Sequence, residues 1–151
     1  RKGVMIGFDE RHTRGHIYRS LLEGIALTLK NSYDAMNAEL GSTPEKIIVS
    51  GGGSNSDLYM QMIADIYGVK AIRNKVNGAA AMGSAICVAV ATGLYTGYSD
   101  AVAHMIEVKD EFTPNMENHK LYEHFNTKAY KNLPKLMEPT LKAIYSGLHE
   151  E

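Results

Sequence analysis

The chain has 151 residues, a length that suits one globular domain. Its 16 Lys and Arg against 17 Asp and Glu leave a formal charge of −1, so the strong basic excess that phosphate backbones reward is missing and nucleic acid is excluded as the main ligand. Hydrophobic residues at 44% exclude wholesale disorder, and no apolar run is long enough to cross a bilayer, so no membrane partner is expected.

The segment from Gly3 to Phe8 is short, apolar and bounded by charge, and reads as a buried strand. Asp9 to His16 is a polar loop. A long helix comes next, with Leu22, Ile25, Leu29, Tyr33, Met36 and Leu40 on one face and Gly41 as its stop. Lys46 to Ser50 is apolar without alternation, the mark of a strand covered on both faces. Gly51, Gly52 and Gly53 end it; Ser54, Asn55, Ser56 and Asp57 offer four possible N-caps for the next helix, and Ser54 with Asp57 resembles a capping box. Tyr59, Met62, Ile63 and Ile66 form that helix's apolar stripe, and Gly68 closes it. Val69 to Ile72 is expected as a third strand, succeeded by a helix rich in Ala, Gly and Ser from about Ala79 to Thr92.

In the tail, Ser99 to Glu107 reads as a short helix and Phe112 to Pro114 as a loop. Glu117 to Leu133 reads as a helix with Tyr122, Phe125 and Ala129 on one side, and Pro134 and Pro139 are expected to break the segment after it. The order β-α-β-α-β-α-α-α implies an α/β fold with a mainly parallel sheet, flanking helices and a helical C-terminal tail.

Ile47 to Asp57 carries the chemistry. A strand runs into three glycines and then into a helix N-terminus, where backbone is open to a ligand and unpaired N–H groups favour negative charge. No Gly-Lys-Ser/Thr comes after the glycines, so this is not a Walker A loop, and the spacing is not that of the dinucleotide fingerprint G-x-G-x-x-G. A tight strand–helix turn without a ligand is the competing reading. No His/Cys cluster has metal-ligand spacing: His12 and His16 lack the Glu of H-E-x-x-H, and no metal residues are assigned. Capping or packing is expected of His16, a structural hydrogen bond of Glu23, and a buried inert thiol of Cys87.

The run Ser50-Gly-Gly-Gly-Ser-Asn-Ser-Asp-Leu-Tyr-Met-Gln-Met-Ile-Ala-Asp-Ile-Tyr-Gly-Val69 closely resembles the C-terminal domain of the FGGY carbohydrate kinases, the group of xylulokinase, ribulokinase, gluconate kinase and glycerol kinase. Gly3 to Gly24, with Gly7-Phe8, His16-Ile17, Arg19-Ser20 and Leu22-Glu23-Gly24, resembles the family's second signature. Ala79-Ala-Ala-Met-Gly-Ser-Ala85 resembles its small-residue helix, where the two domains hinge and Gly83 would permit close packing. The matches keep the family's order and cover about residues 3–110.

The resemblance implies a partial actin-like, ribonuclease-H-like ATPase domain. Residues 1–151 would be the C-terminal, ATP-side domain of an FGGY-type sugar kinase, lacking its first β-hairpin and the whole N-terminal domain; the start at Arg1-Lys2-Gly3, without a Met, agrees with a piece of a longer protein. The intact enzyme would use ATP and Mg2+ to phosphorylate a sugar or polyol, with its catalytic Asp and most sugar contacts in the absent half. No catalytic residue is therefore assigned here, and the fragment alone is expected to be inactive. The family's adenosine contacts fall on Gly51, Gly52 and Gly53, Gly52 foremost, and on Ser56, with Asn55 a weaker candidate; some members carry Asn where this chain has Ser56. A cytoplasmic setting is expected alongside, and a homodimer is an open alternative to a monomer. The alternative is a non-catalytic actin-like nucleotide-binding module.

Overall fold

The computed structural model describes residues 3–148. Helix α1 spans Arg14–Leu40, strand β1 Lys46–Ile48, helix α2 Asp57–Tyr67, strand β2 Lys70–Asn74, helix α3 Ala79–Ala91, helix α4 Tyr98–Met105, strand β3 Val108–Phe112, helix α5 Met116–Lys128 and helix α6 Leu133–Gly147. Two 3-10 turns, Gly52–Asn55 and Tyr130–Asn132, join β1 to α2 and α5 to α6. The sheet has the order β1-β2-β3. β1 and β2 run parallel, as a crossover helix demands, with Ile47 opposite Ala71; β3 is antiparallel to β2, with Ile72 opposite Glu111. The expected mainly parallel sheet is thus a small mixed one, because β3 was hidden in sequence by its polar residues Lys109, Asp110 and Glu111.

Helix α2 is the centre of the molecule. Met60, Met62, Ile63, Ala64 and Ile66 are all buried, and they pack with Ala26 and Leu27 of α1 and Ala71 of β2. A helix apolar on nearly every side must be covered on nearly every side. Gly68 ends it at φ +69°, and its amide donates to the Ala64 carbonyl at 2.9 Å.

Asp65, 5% exposed, ties α2 to α5: its carboxylate accepts from the Asn115 amide (2.8 Å), Asn118 Nδ2 (2.8 Å) and Gln61 Nε2 (2.7 Å). A buried carboxylate demands such a set of donors. Asn115 in turn caps α5, accepting from the amides of Glu117 and Asn118. Between α1 and α5, Asn31 and Asn126 exchange side-chain hydrogen bonds at 3.2 and 2.8 Å, and Glu23 accepts from Arg19 and from the Tyr122 hydroxyl, both at 2.8 Å. Glu23 and His16, whose Nδ1 accepts from the Thr13 amide, have the structural roles expected of them.

Several expectations are corrected. Residues 3–8 form no strand, since no described strand lies beside them to share a ladder. α1 ends at Gly41 as expected, and Leu22 and Tyr33 of the expected face are half-buried, but the helix buries Ala26, Leu27 and Lys30, while Ile25, Leu29, Met36 and Leu40 are exposed. The helix is apolar on two faces, and only one meets α2. β1 is likewise not covered on both faces: Ile47 is half-buried and Ile48 is exposed. Cys87 is exposed, not buried, because α3 is covered only along Ile86 and Ala89. Ala129 lies outside α5, and Phe125 is exposed. α6 forms despite its prolines: Pro134 falls in the first turn, where an amide has no partner to lose, and Pro139 removes one interior bond without ending the helix.

Candidate functional site: the glycine turn after strand β1

The ladder between β1 and β2 continues to Val49, whose amide donates to the Ile72 carbonyl at 2.9 Å. The chain then turns sharply at Gly51 (φ +86°, ψ −173°) and enters the 3-10 turn. The Ser54 amide and hydroxyl both donate to the Gly51 carbonyl, at 3.1 and 2.7 Å, and the Ser56 amide donates to the Gly53 carbonyl at 3.2 Å. These bonds set the turn's shape. Of the four possible caps, Ser54 is fully buried and holds the turn from inside. Ser56 is the N-cap of α2, its Oγ accepting from the Tyr59 amide at 3.3 Å.

The three glycines stand in three different settings. Gly51 adopts backbone angles that are essentially reserved for glycine. A Cβ on Gly53 would stand 3.1 Å from the ring of Tyr59, so packing keeps it small. Gly52 has neither constraint: its φ lies outside the left-handed region, and a Cβ there would meet nothing within 4 Å. A side chain would fit at Gly52 as far as this chain is concerned. Its absence leaves open backbone at the carboxyl end of a sheet strand, with Gly52 and Gly53 opening a helical turn whose first amides have no partner inside it.

The turn is tethered to the rest of the fold by two residues that sequence reading did not single out. Asn77, in the loop after β2, accepts from the Gly51 amide through its carbonyl and donates from Nδ2 to Asn55 Oδ1, both at 2.9 Å. Arg73 of β2, 5% exposed, donates from Nη1 to the Ser54 carbonyl at 2.8 Å. Its remaining donors pair with Asp110 (2.8 and 2.5 Å) and with Asp57, the first residue of α2 (2.8 Å). The hydrogen bonds to Asp110 hold the guanidinium protonated beyond its ordinary range, against the opposing effect of burial, and Arg73 holds the Asp110 carboxyl below the usual carboxylate range. Neither residue had a motif to mark it; both act through contacts made only in the folded chain.

Of the residues expected to bind ATP, Gly51, Gly52, Gly53 and Asn55 lie together on an exposed edge, and Ser56 is half-buried beside them. No group of three or more His, Cys, Asp or Glu side chains among the described residues is placed to hold a metal ion.

A family model described as the FGGY family of carbohydrate kinases, C-terminal domain, matches residues 1–92. The chain belongs to the FGGY family. It is 46% identical over 151 residues to an uncharacterized sugar kinase of Escherichia coli (strain K12), YgcE, matching 100% of this chain and 31% of that protein. It is 35% identical over 124 residues to a xylulose kinase of Staphylococcus epidermidis (82% of this chain, 25% of the relative) and 36% identical over 115 residues to a glycerol kinase of Rhodopirellula baltica (76% and 21%). The chain therefore spans about a third or less of the length of these curated FGGY relatives. Among solved structures, the xylulose kinase from Rhodospirillum rubrum aligns with a TM-score of 0.73 and 26% identity, over 89% of this chain and 27% of that one. The Plasmodium falciparum glycerol kinase with ADP aligns at 0.70 and 21% identity, over 85% and 26%, a likeness of fold alone. These FGGY neighbours support the actin-like ATPase class.

Proposed function

We propose that this chain is the ATP-side domain of a carbohydrate kinase whose remaining part carries the first β-hairpin of the domain and the sugar-binding half. The observation that carries the nucleotide reading is Gly52, a residue without a side chain where neither backbone conformation nor packing requires its absence. Gly51, Gly52 and Gly53 would lie against the adenosine, with Asn55 and Ser56 at the edge of the contact. The exposed apolar stripe Leu21, Ile25 and Leu29 of α1 supports the domain reading, since a row of that kind calls for a cover that the described residues leave open.

ATP, bound together with Mg2+, would supply the phosphoryl group. In the intact protein a sugar or polyol hydroxyl oxygen would bond to the γ-phosphorus as the bond to the β-phosphate oxygen breaks. The hydroxyl proton would pass to a carboxylate of the other half. The task of this chain is positioning: a turn of fixed shape holds one end of the nucleotide, and closure of the halves excludes water from the phosphoryl group. On this reading the fragment alone has no kinase activity. A cytoplasmic setting, where ATP is at hand, belongs to the same proposal.

The test uses the full-length protein. ATP consumption is measured against a panel of pentuloses, hexuloses, sugar acids and glycerol, beside Gly52→Asp. The open space at Gly52 lets the variant fold while it sets a carboxylate against the nucleotide. A rate that depends on one sugar class and collapses in the variant supports the proposal. ATP turnover or binding without any sugar response favours a non-catalytic nucleotide-binding module, and full activity in Gly52→Asp refutes the assignment of the turn.

A further inference from the structure

The shape and the place of the glycine turn have separate causes. Its shape comes from bonds within residues 51–56, chiefly the Gly51 carbonyl accepting twice from Ser54. Its place relative to the sheet comes from the tethers of Asn77 and Arg73. Asn77 belongs to a loop, whereas Arg73 links the turn to strand β2 through a side-chain hydrogen bond. Its planar fork reaches three elements at once: the Ser54 carbonyl inside the turn, Asp57 at the start of α2, and Asp110 on β3. The ring of Phe112 lies 5.3 Å from the guanidinium carbon and helps to enclose it. A lysine would bring the same charge, but a single ammonium does not match that set of directions.

We infer that Arg73 is a positioning residue for nucleotide binding, setting the place of the Gly51–Ser56 backbone through the Ser54 carbonyl without touching the ligand. This rests on the reading of the turn as the adenosine contact. Asp110 supports it by holding two of the guanidinium donors, which aims Nη1 at Ser54. Asp57 gains the same anchor, so the N-terminus of α2 and the turn are held by one side chain.

The experiment is a calorimetric titration of MgADP into the full-length protein and its Arg73→Lys, Arg73→Met and Gly52→Asp variants, with melting temperatures measured alongside. MgADP reports nucleotide binding without knowledge of the sugar. In Arg73→Met the stoichiometry stays near one site while Kd rises by about tenfold or more, the scale of a lost charge-assisted hydrogen bond; Arg73→Lys falls between it and the parent. A merely structural Arg73 gives the opposite pattern, in which the binding-competent fraction drops and Kd stays at the parent value, and that result overturns the inference. If Arg73→Met does not fold, Arg73→Lys decides on the same criterion. The outcomes also separate the two claims. Loss of binding in Gly52→Asp with parent-like Kd in the folded Arg73 variant refutes the role of Arg73 alone. Parent-like binding in Gly52→Asp, or none in the parent, refutes the nucleotide reading and the inference together.

Discussion

The imidazole of His119 occupies the space in which Gly68 would carry a side chain. A Cβ on Gly68 would stand 2.6 Å from His119 Cε1 and 2.7 Å from Nε2, and His119 Nδ1 is 3.0 Å from the Asp65 carbonyl oxygen. The close approach of α5 to the end of α2 therefore depends on a missing side chain at the one residue that also ends α2 at positive φ. Gly68→Ala meets both obstacles, the left-handed backbone and the ring, and is expected to destabilise the fold by about 2–3 kcal/mol. Thermal melting monitored by circular dichroism checks this; a melting temperature equal to that of the parent would show that α5 shifts freely.

The glycines of the turn predict a contrast within two adjacent residues. Gly53→Ala brings a methyl group to 3.1 Å from the Tyr59 ring, and Tyr59 is itself buried, so a loss of about 1 kcal/mol is expected. Gly52→Ala meets open space and should stay within about 0.5 kcal/mol of the parent. Paired denaturation curves measure the difference. Equal losses at both positions would mean that the turn is strained as a whole, and the case for Gly52 as a ligand-facing residue would lose its basis.

Alkaline stability should depend on Tyr67. Burial is the main cause that pushes its phenol from 10.0 up to about 12, with the nearby Tyr59 adding to it, and its ring lies 5.0 Å from that of Tyr33. The neutral phenol is the form the fold accepts, so this contribution is fully present below pH 10 and is lost as pH rises from there through about 12. Tyr67→Phe has no proton to lose and should show a flatter fall in stability across that window than the parent. Identical slopes in the two proteins would contradict the burial of this hydroxyl.

The local features were legible in the sequence, and the tertiary ones were not. α2 could be read from Tyr59, Met62, Ile63 and Ile66 with Gly68 behind them, because spacing and a left-handed stop are properties of a short segment. The glycine turn was legible for the same reason, and for its likeness to a family run. α1 was legible as a helix but not in its orientation: Ile25 and Leu29 compete with Ala26 and Leu27 for the core, and periodicity cannot say which of two apolar faces finds a partner. β3 was missed because Lys109, Asp110 and Glu111 look like surface residues, although Asp110 faces Arg73 and the strand completes the sheet edge. The same limit hid Arg73 and Asn77. Their significance lies in partners 19 and 22 residues away, Ser54 and Asn55, and no spacing rule links such positions.

The central claim, that the nucleotide meets this chain at the turn after β1, is tested most directly by amide hydrogen exchange of the full-length protein with and without saturating MgADP. Slower exchange is expected in the peptide covering residues 51–56 when MgADP is bound, with exchange in α6 unchanged. Bound MgADP that leaves residues 51–56 exchanging at their free rate, with protection elsewhere, would contradict it.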